Sequence, residues 1–443
     1  MKVIALLAVL FSLTNAFPFE SNSNGTTWVV LVAGSNGWYN YRHQADVYHA
    51  YQVVRNHGIP EKNIIVFHYD DIAHHSSNPT PGQVINKPGG TDVYHEVPKD
   101  FIGKDVTPKN FLAVLKGDQE LAKSGKKVLK SGANDNVFVF FSDHGSTDLI
   151  AFPNEYLYGE DLNKALQYMF DHKMYSKLVF YLEACESGSM FNKLLPKNIN
   201  VYATTASNPT ESSYACYYDA KRSTYLGDVY SVNWVEDSDR RDVGKETLVD
   251  QFNVVKQRTT TSHVQQYGDL VINQLTLKEF QGDKVAPPMD KLVVPVTDAV
   301  DSGDVPLEIL KHRVDEAQSD TQKLIFKEQL QRLKDGRQFL TDHLRQYVNS
   351  IKHLVGDDID AIMNTKQELN NRQCYRQLVD IFNQKALNLN QHPYVLRKLH
   401  VFANVCEKLS TGTDVELKVD DAVQHLVSYS YEHFANAYPF PIE

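Results

Sequence analysis

The sequence predicts an α/β protein with a mostly parallel sheet flanked by helices, followed by an α-helical C-terminal region. Three observations carry this expectation. The apolar runs 137–141 and 178–182 are continuous rather than alternating, as strands covered by helices on both faces are. Strand-like runs alternate with helix-like runs through the first 280 residues, which implies a parallel sheet wrapped on both sides. Further on, apolar residues such as Leu307, Leu310, Val314, Leu333, Leu340 and Leu344 recur at helical spacing, with no strand signal.

Along the chain, Met1-Lys2, the apolar stretch 3–13 and Thr14-Asn15-Ala16 match a secretory signal over residues 1–16, too short to span a bilayer. A polar leader occupies 17–25, and Asn24-Gly25-Thr26 is the only glycosylation triplet without a central proline. Strands are expected at 28–33, 63–69, 136–142, 177–183 and 200–205, and helices at 43–55, 108–115, 159–170 and 244–256. Two long connections, 70–107 and 205–242, interrupt this pattern near strand ends, where long insertions usually carry specificity. From residue 281 to 306 proline, glycine and acidic residues interleave as in a linker. The expected organisation is therefore a catalytic-type domain over 26–282, a linker over 283–322 and a helical domain over 323–443. No later segment reaches 18 uninterrupted apolar residues, so the expectation is a secretory-pathway product without a membrane anchor.

The formal charge of −10 falls wholly on residues 1–320, because residues 321–443 balance 15 basic against 15 acidic side chains. An acidic body argues against nucleic acid as a partner. Histidines at 343, 353, 392, 400, 425 and 433 would make the C-terminal region cationic in acid, or are an accident of composition. Of the four cysteines, Cys374 and Cys406 are the expected bridge in an oxidising route, leaving Cys185 and Cys216 free. A Cys185–Cys216 disulfide is the alternative, and it would abolish thiol chemistry. The cysteines are too scattered for a zinc site and His74-His75 lies in a polar loop, so neither a metal nor an organic cofactor is expected.

Chemistry concentrates at two strand ends. The first run closes in Ser142-Asp143-His144-Gly145 and the second in Glu183-Ala184-Cys185-Glu186-Ser187-Gly188. Open α/β sheets present their reactive groups at the carboxyl ends of strands. Cys185 is the candidate nucleophile, and His144 the base that later protonates a leaving amine. Asn40, in the loop after the first strand, is placed to fix the imidazole tautomer, and the backbone amides of Gly145 and Cys185 are the candidate oxyanion donors. This set of groups suits peptide hydrolysis by a thiol.

These motifs, with Ala33-Gly34-Ser35-Asn36-Gly37-Trp38-Tyr39-Asn40-Tyr41-Arg42-His43-Gln44-Ala45-Asp46 and Glu211-Ser212-Ser213-Tyr214-Ala215-Cys216-Tyr217-Tyr218, resemble the legumain family, the asparaginyl endopeptidases of the caspase-like cysteine protease clan. The likeness runs from about residue 28 to 282 and is looser beyond. It implies a caspase-like fold, a His144–Cys185 dyad with Asn40 behind the histidine, and a specificity pocket of Arg42, His43, Glu183, Ser213 and Asp228. Chemically, Arg42 would donate to the carbonyl of a substrate asparagine while Glu183 and Asp228 accept from its amide, and an aspartate would enter only when protonated. A buried ion cluster with no substrate role is the alternative reading of the same residues.

The resemblance further implies peptide and protein substrates, cystatin-type inhibitors, and a lysosomal, endosomal or otherwise acidic lumen. The helical tail would be a prodomain that inhibits intramolecularly until acid and proteolysis release it. Relatives often carry a second disulfide there, which two cysteines cannot supply. No asparagine occurs between Asn273 and Asn349, so self-cleavage is expected at aspartate, with Asp315 and Asp320 the candidates. Peptide ligation or transamidation by the same Cys-His site is the alternative function.

Overall fold

Valine, isoleucine and phenylalanine dominate the runs that become the central strands, because branched and aromatic side chains pack well on a pleated surface. The computed structural model describes residues 25–387, 389 and 393–433; the expected signal, most of the leader, Asn24 and His392 lie outside them. In chain order the first half comprises β1 (Thr27–Ala33), α1 (Tyr41–Asn56), β2 (Ile64–His68), β3 (Phe101–Ile102), α2 (Pro108–Leu115), α3 (Gln119–Lys123) and β4 (Asn136–Ser142). There follow β5 (Gly145–Ser146), β6 (Leu149–Ala151), β7 (Tyr156–Tyr158), α4 (Gly159–Asp171), β8 (Lys177–Glu183) and β9 (Val201–Thr205). The domain closes with β10 (Tyr214–Asp219), β11 (Thr224–Asp228), α5 (Val229–Arg240), α6 (Leu248–Arg258), β12 (Gln265–Gly268) and α7 (Lys278–Gln281).

Seven strands form one sheet in the order β12-β9-β8-β4-β1-β2-β3, parallel except for β12. Alternation within a buried strand feeds two cores. Phe138 and Phe140 of β4 point with Tyr181 and Trp234 into one, while Val137, Val139 and Phe141 point with Phe111 and Leu166 into the other. Each large side chain so buried contributes about 1.5–3 kcal/mol. Two three-stranded antiparallel sheets, β5-β6-β7 and one containing β10 and β11, stand beside the main sheet.

Two expectations need correction. The helix expected from residue 244 begins at Leu248, because Thr247 and Asp250 form a reciprocal cap, with the Thr247 hydroxyl accepting from the Asp250 amide at 3.2 Å. Residues 242–246 instead make a turn, in which the Lys245 amide donates to the Asp242 carbonyl at 2.9 Å. The stretch 205–242, expected as a connection, contains the β10–β11 hairpin and α5. Its serine and tyrosine content masked strands that are largely buried, β11 throughout and Ala215, Cys216 and Tyr217 of β10.

Within 283–322 lie β13 (Val300–Asp301) and α8 (Val305–Glu316). Helices α9 (Asp320–Ser350), α10 (Lys352–Val355), α11 (Ile359–Asn364), α12 (Arg372–Lys385), α13 (Pro393–Leu396), α14 (His400–Leu409) and α15 (Val415–His433) complete the described chain. Their core, around Leu340, Tyr347, Leu378, Phe382 and Phe402, also takes in Leu149, Ala151 and Tyr158 of the β6–β7 hairpin, which docks the helical region on the sheet domain. A Cys374–Cys406 disulfide joins α12 to α14, while Cys185 and Cys216 are free and buried. The alternative Cys185–Cys216 bridge is therefore absent. Among the described residues no helix is long and apolar enough to cross a membrane.

Candidate active site

Register decides which loops meet. Ser142 of β4 is level with Ala33 of β1 and with Glu183 of β8, so the turns carrying Asn40, His144 and Cys185 leave the sheet at one height. Beyond the strands the ladder continues: the Gly34 amide donates to the Ser142 carbonyl at 3.2 Å and the Asp143 amide to the Glu183 carbonyl at 3.1 Å. At Gly145 a Cβ would stand 2.4 Å from the Cys185 carbonyl oxygen, so only glycine lets the two turns pack together.

His144 Nε2–H donates to Asn40 Oδ1 at 2.8 Å, and the amide is oriented by its own donation from Nδ2 to the Asn36 carbonyl at 3.0 Å. This leaves Nδ1 of His144 as the basic nitrogen. The Asn40 loop is itself held, by the Gly37 amide on Asp71 (2.7 Å) and by the Trp38 indole N–H on the Arg222 carbonyl (2.8 Å). Cys185 is 3 % exposed, and the Ser213 amide points at its sulfur from 3.4 Å. Burial, reinforced by Glu186 and Asp301, pushes the thiol up to about 12 despite the Ser213 contact. Burial and then the Arg42 charge hold His144 well below the ordinary imidazole range. Burial thus disfavours the charged form of both groups.

Next to the pair lies a buried polar cluster. Arg42 donates from Nε to Asp228 (2.9 Å), from Nη1 to the Tyr39 carbonyl (3.1 Å) and from Nη2 to Ser302 Oγ (2.7 Å). Glu183 Oε2 accepts from the Ser231 amide (3.0 Å) and hydroxyl (2.9 Å), while Glu183 Oε1 and Asp228 Oδ2 are buried without hydrogen-bond partners. His43 Nδ1 meets Ser35 Oγ at 2.6 Å, and its ring stands edge-on to His144 at 4.9 Å. Burial raises the Glu183 and Asp228 carboxyls, Glu183 well above its ordinary range, although Arg42 opposes the rise in both. His43, Asp143 and His144 are close enough to hold a metal ion, but Ser35 and Asn40 already engage a nitrogen of each ring.

The structure therefore brings Arg42, His43, Glu183 and Asp228 together, with Ser213 beside Cys185. Sequence reasoning missed Ser35, Ser231 and Asp46, whose carboxylate accepts from Asn86 at 2.7 Å and lies beside Asp228; Ser35 and Asp46 were within a quoted motif but carried no spacing signal.

It also missed the cover. β13 pairs antiparallel with β10, at Tyr214 with Asp301 and Ala215 with Val300, and the Ser302 amide donates to the Ser213 carbonyl at 3.0 Å. Ser302 thereby takes one of the three Arg42 hydrogen bonds. Arg397, at the end of α13, pairs with Asp301 (3.0 Å) and Asp304 (2.8 Å), and Arg337 with Asp304 (2.6 Å). Further pairs, Lys366 with Glu186 and Arg372 with Asp148 (3.2 Å), join the helical region to the turns flanking the site. Asp315 and Asp320 are exposed, the first in the last turn of α8 and the second at the start of α9, with the non-helical residues 317–319 between.

Residues 27–283 match the model of the Peptidase C13 family. Legumain of Homo sapiens is 49% identical over 426 residues, covering 95% of this chain and 98% of that protein. A hemoglobinase of Schistosoma japonicum is 40% identical across 91% of this chain and 95% of its own length. The vacuolar-processing enzyme delta-isozyme of Arabidopsis thaliana is 39% identical across 90% of each.

Proposed function

Because this chain belongs to the legumain family of C13 cysteine endopeptidases, we propose that it is a secretory-pathway zymogen that cuts after Asn, and after Asp in acid, once its helical tail is removed. The observation that carries the reading is the contact of Ser302 with Arg42 beside Cys185: a segment leading into the tail uses the donor that a substrate side chain would need. In the proposed reaction His144 Nδ1 takes the Cys185 proton and the thiolate attacks the scissile carbonyl. The amides of Gly145 and Cys185 stabilise the oxyanion, and His144 returns the proton to the leaving amine. Water then releases the acyl group. Arg42 donates to the Asn carbonyl, and Glu183 Oε1 and Asp228 Oδ2 accept from its amide, which accounts for two buried oxygens without partners. An ionised aspartate would bring a further carboxylate into a buried cluster where the charged forms of Asp46, Glu183 and Asp228 are already disfavoured, so it is accepted only when protonated.

The test holds full-length protein at about pH 4.5–5.5, where free carboxyls begin to protonate, and follows its mass and hydrolysis of an Ala-Ala-Asn reporter beside a Cys185→Ala control. Tail loss and activity that both depend on Cys185 are expected. The new terminus is expected after Asp315 or Asp320, exposed residues that flank the non-helical stretch 317–319. A terminus after another residue type would assign activation to a second protease.

His400 supports acid sensitivity of the tail. Burial holds its ring below the ordinary imidazole range, with Lys366 and Lys398 acting in the same sense against the carbonyls of Met363 and Arg397. A lowered histidine stabilises the fold fully above its unfolded value near 6.5, and that contribution is lost as the pH falls towards the folded value. In the Cys185→Ala background the drop in tail melting temperature between pH 7 and pH 5 is expected to shrink in His400→Gln. An equal drop in both proteins would remove His400 from the account.

A further inference from the structure

We propose a divalent transition-metal site, of zinc type, on the outer face of the helical tail, formed by His353 of α10 with Asp421 and His425 of α15. Asp421 and His425 stand four residues apart on one helix and so share a face. His353 arrives from the short helix that follows α9, and the three ligand atoms lie within 4.8 Å of one another. Nε2 of His353 is 3.4 Å from Oδ2 of Asp421, and Nε2 of His425 is 3.7 Å from Oδ1 of the same carboxylate. With bonds of about 2.0–2.1 Å, the edge between neighbouring ligands of a tetrahedral zinc ion is about 3.3 Å. The spacing of these atoms is therefore close to what such an ion requires. The ring centroids of the two histidines are 5.6 Å apart, so small side-chain rotations turn both nitrogens to one point.

Two imidazoles and one carboxylate are a donor set for zinc and its first-row neighbours rather than for calcium or magnesium, which prefer all-oxygen shells. The three side chains are 39–54 % exposed, which gives an ion a path from solvent and leaves its remaining positions to water. Without an ion the same contacts are exposed surface pairs, which contribute little to stability. With one, they form a reversible cross-link between α10 and α15, on elements that the Cys374–Cys406 disulfide does not join. The site is remote in role from the Cys185 centre and needs none of its residues.

The test titrates zinc chloride at pH 7.2 into untagged full-length protein carrying Cys185→Ala, by calorimetry in a non-coordinating buffer. One site of micromolar affinity is expected, weakened at least tenfold by His353→Ala or His425→Ala, and a rise in tail melting temperature with zinc that both variants lose. Cobalt(II) added to the full-length protein with His353 and His425 intact should give the visible bands of a low-coordinate ion, and side-chain nitrogen spectra should show two histidines shifting together. No binding up to 1 mM, or binding that both alanine variants retain, would overturn the proposal; the histidine spectra decide the case if either variant fails to fold.

Discussion

Cys185→Ala, with its tail removed by added active protein, is expected to show a kcat/KM lower by about 10⁴-fold or more, with the melting temperature of the sheet domain within a degree or two of the parent. His144→Ala should cost about as much, and the double variant little more than either single one, because nucleophile and base act as a unit. The residual rate would come from binding and the oxyanion donors alone. The covered form adds a second readout. There the thiol is 3 % exposed and raised to about 12 by burial, Glu186 and Asp301, so alkylation of Cys185 should be slow in the full chain and accelerate when the tail leaves. Equal alkylation rates before and after tail removal would show that the cover does not govern the nucleophile. Activity within about tenfold of the parent in Cys185→Ala would sink the assignment of the site itself.

Arg42→Ala is the second large expected effect, and it acts on stability and specificity together. The guanidinium is fully buried and satisfies Asp228, the Tyr39 carbonyl and Ser302 at once. Removing it leaves a buried carboxylate beside Asp46 and Glu183 without its cation, a loss of about 3–5 kcal/mol and roughly 6–20 °C in Tm. Arg42→Lys should not rescue, since one ammonium cannot reproduce three donations in a fixed plane. Arg42→Ala combined with Asp228→Asn should recover part of the stability, because no buried charge is then unpaired, yet turnover of the Asn reporter should stay at least about 10³-fold down. Recovery of Asn turnover in that double variant would show that the cluster is structural and the pocket lies elsewhere.

Much of the sheet domain was legible because its signals are local. The bounds of β4, β8 and α2 coincide with those expected from the sequence, and in the structure Thr107 caps α2 just before Pro108. The strand ends carrying His144 and Cys185 followed from the same runs. Illegible features are those made by distant partners. Nothing in the spacing of Val300 and Asp301 announces that they pair with Ala215 and Tyr214, nor that Ser302 reaches Arg42. Residues 281–306 looked like linker because proline and glycine are frequent, whereas Asp301 and Asp304 within them find their partners Arg337 and Arg397 only in three dimensions. The tail histidines had the same fate, since composition counts them and only folding sets His353 beside His425.

The short strand β13 belongs to the same polypeptide as the β10 with which it pairs, and under the proposed function this would change the arithmetic of inhibition. A tethered occupant has an effective concentration in the millimolar range whatever the protein concentration, so dilution would not uncover the site and substrate would compete against that fixed local supply. A cut after Asp320 leaves residues 300–304 on the sheet domain but detaches Arg337 and Arg397, the two cations that hold Asp301 and Asp304. After such a cut the helical tail would be an ordinary bimolecular ligand, and its hold would depend on its concentration.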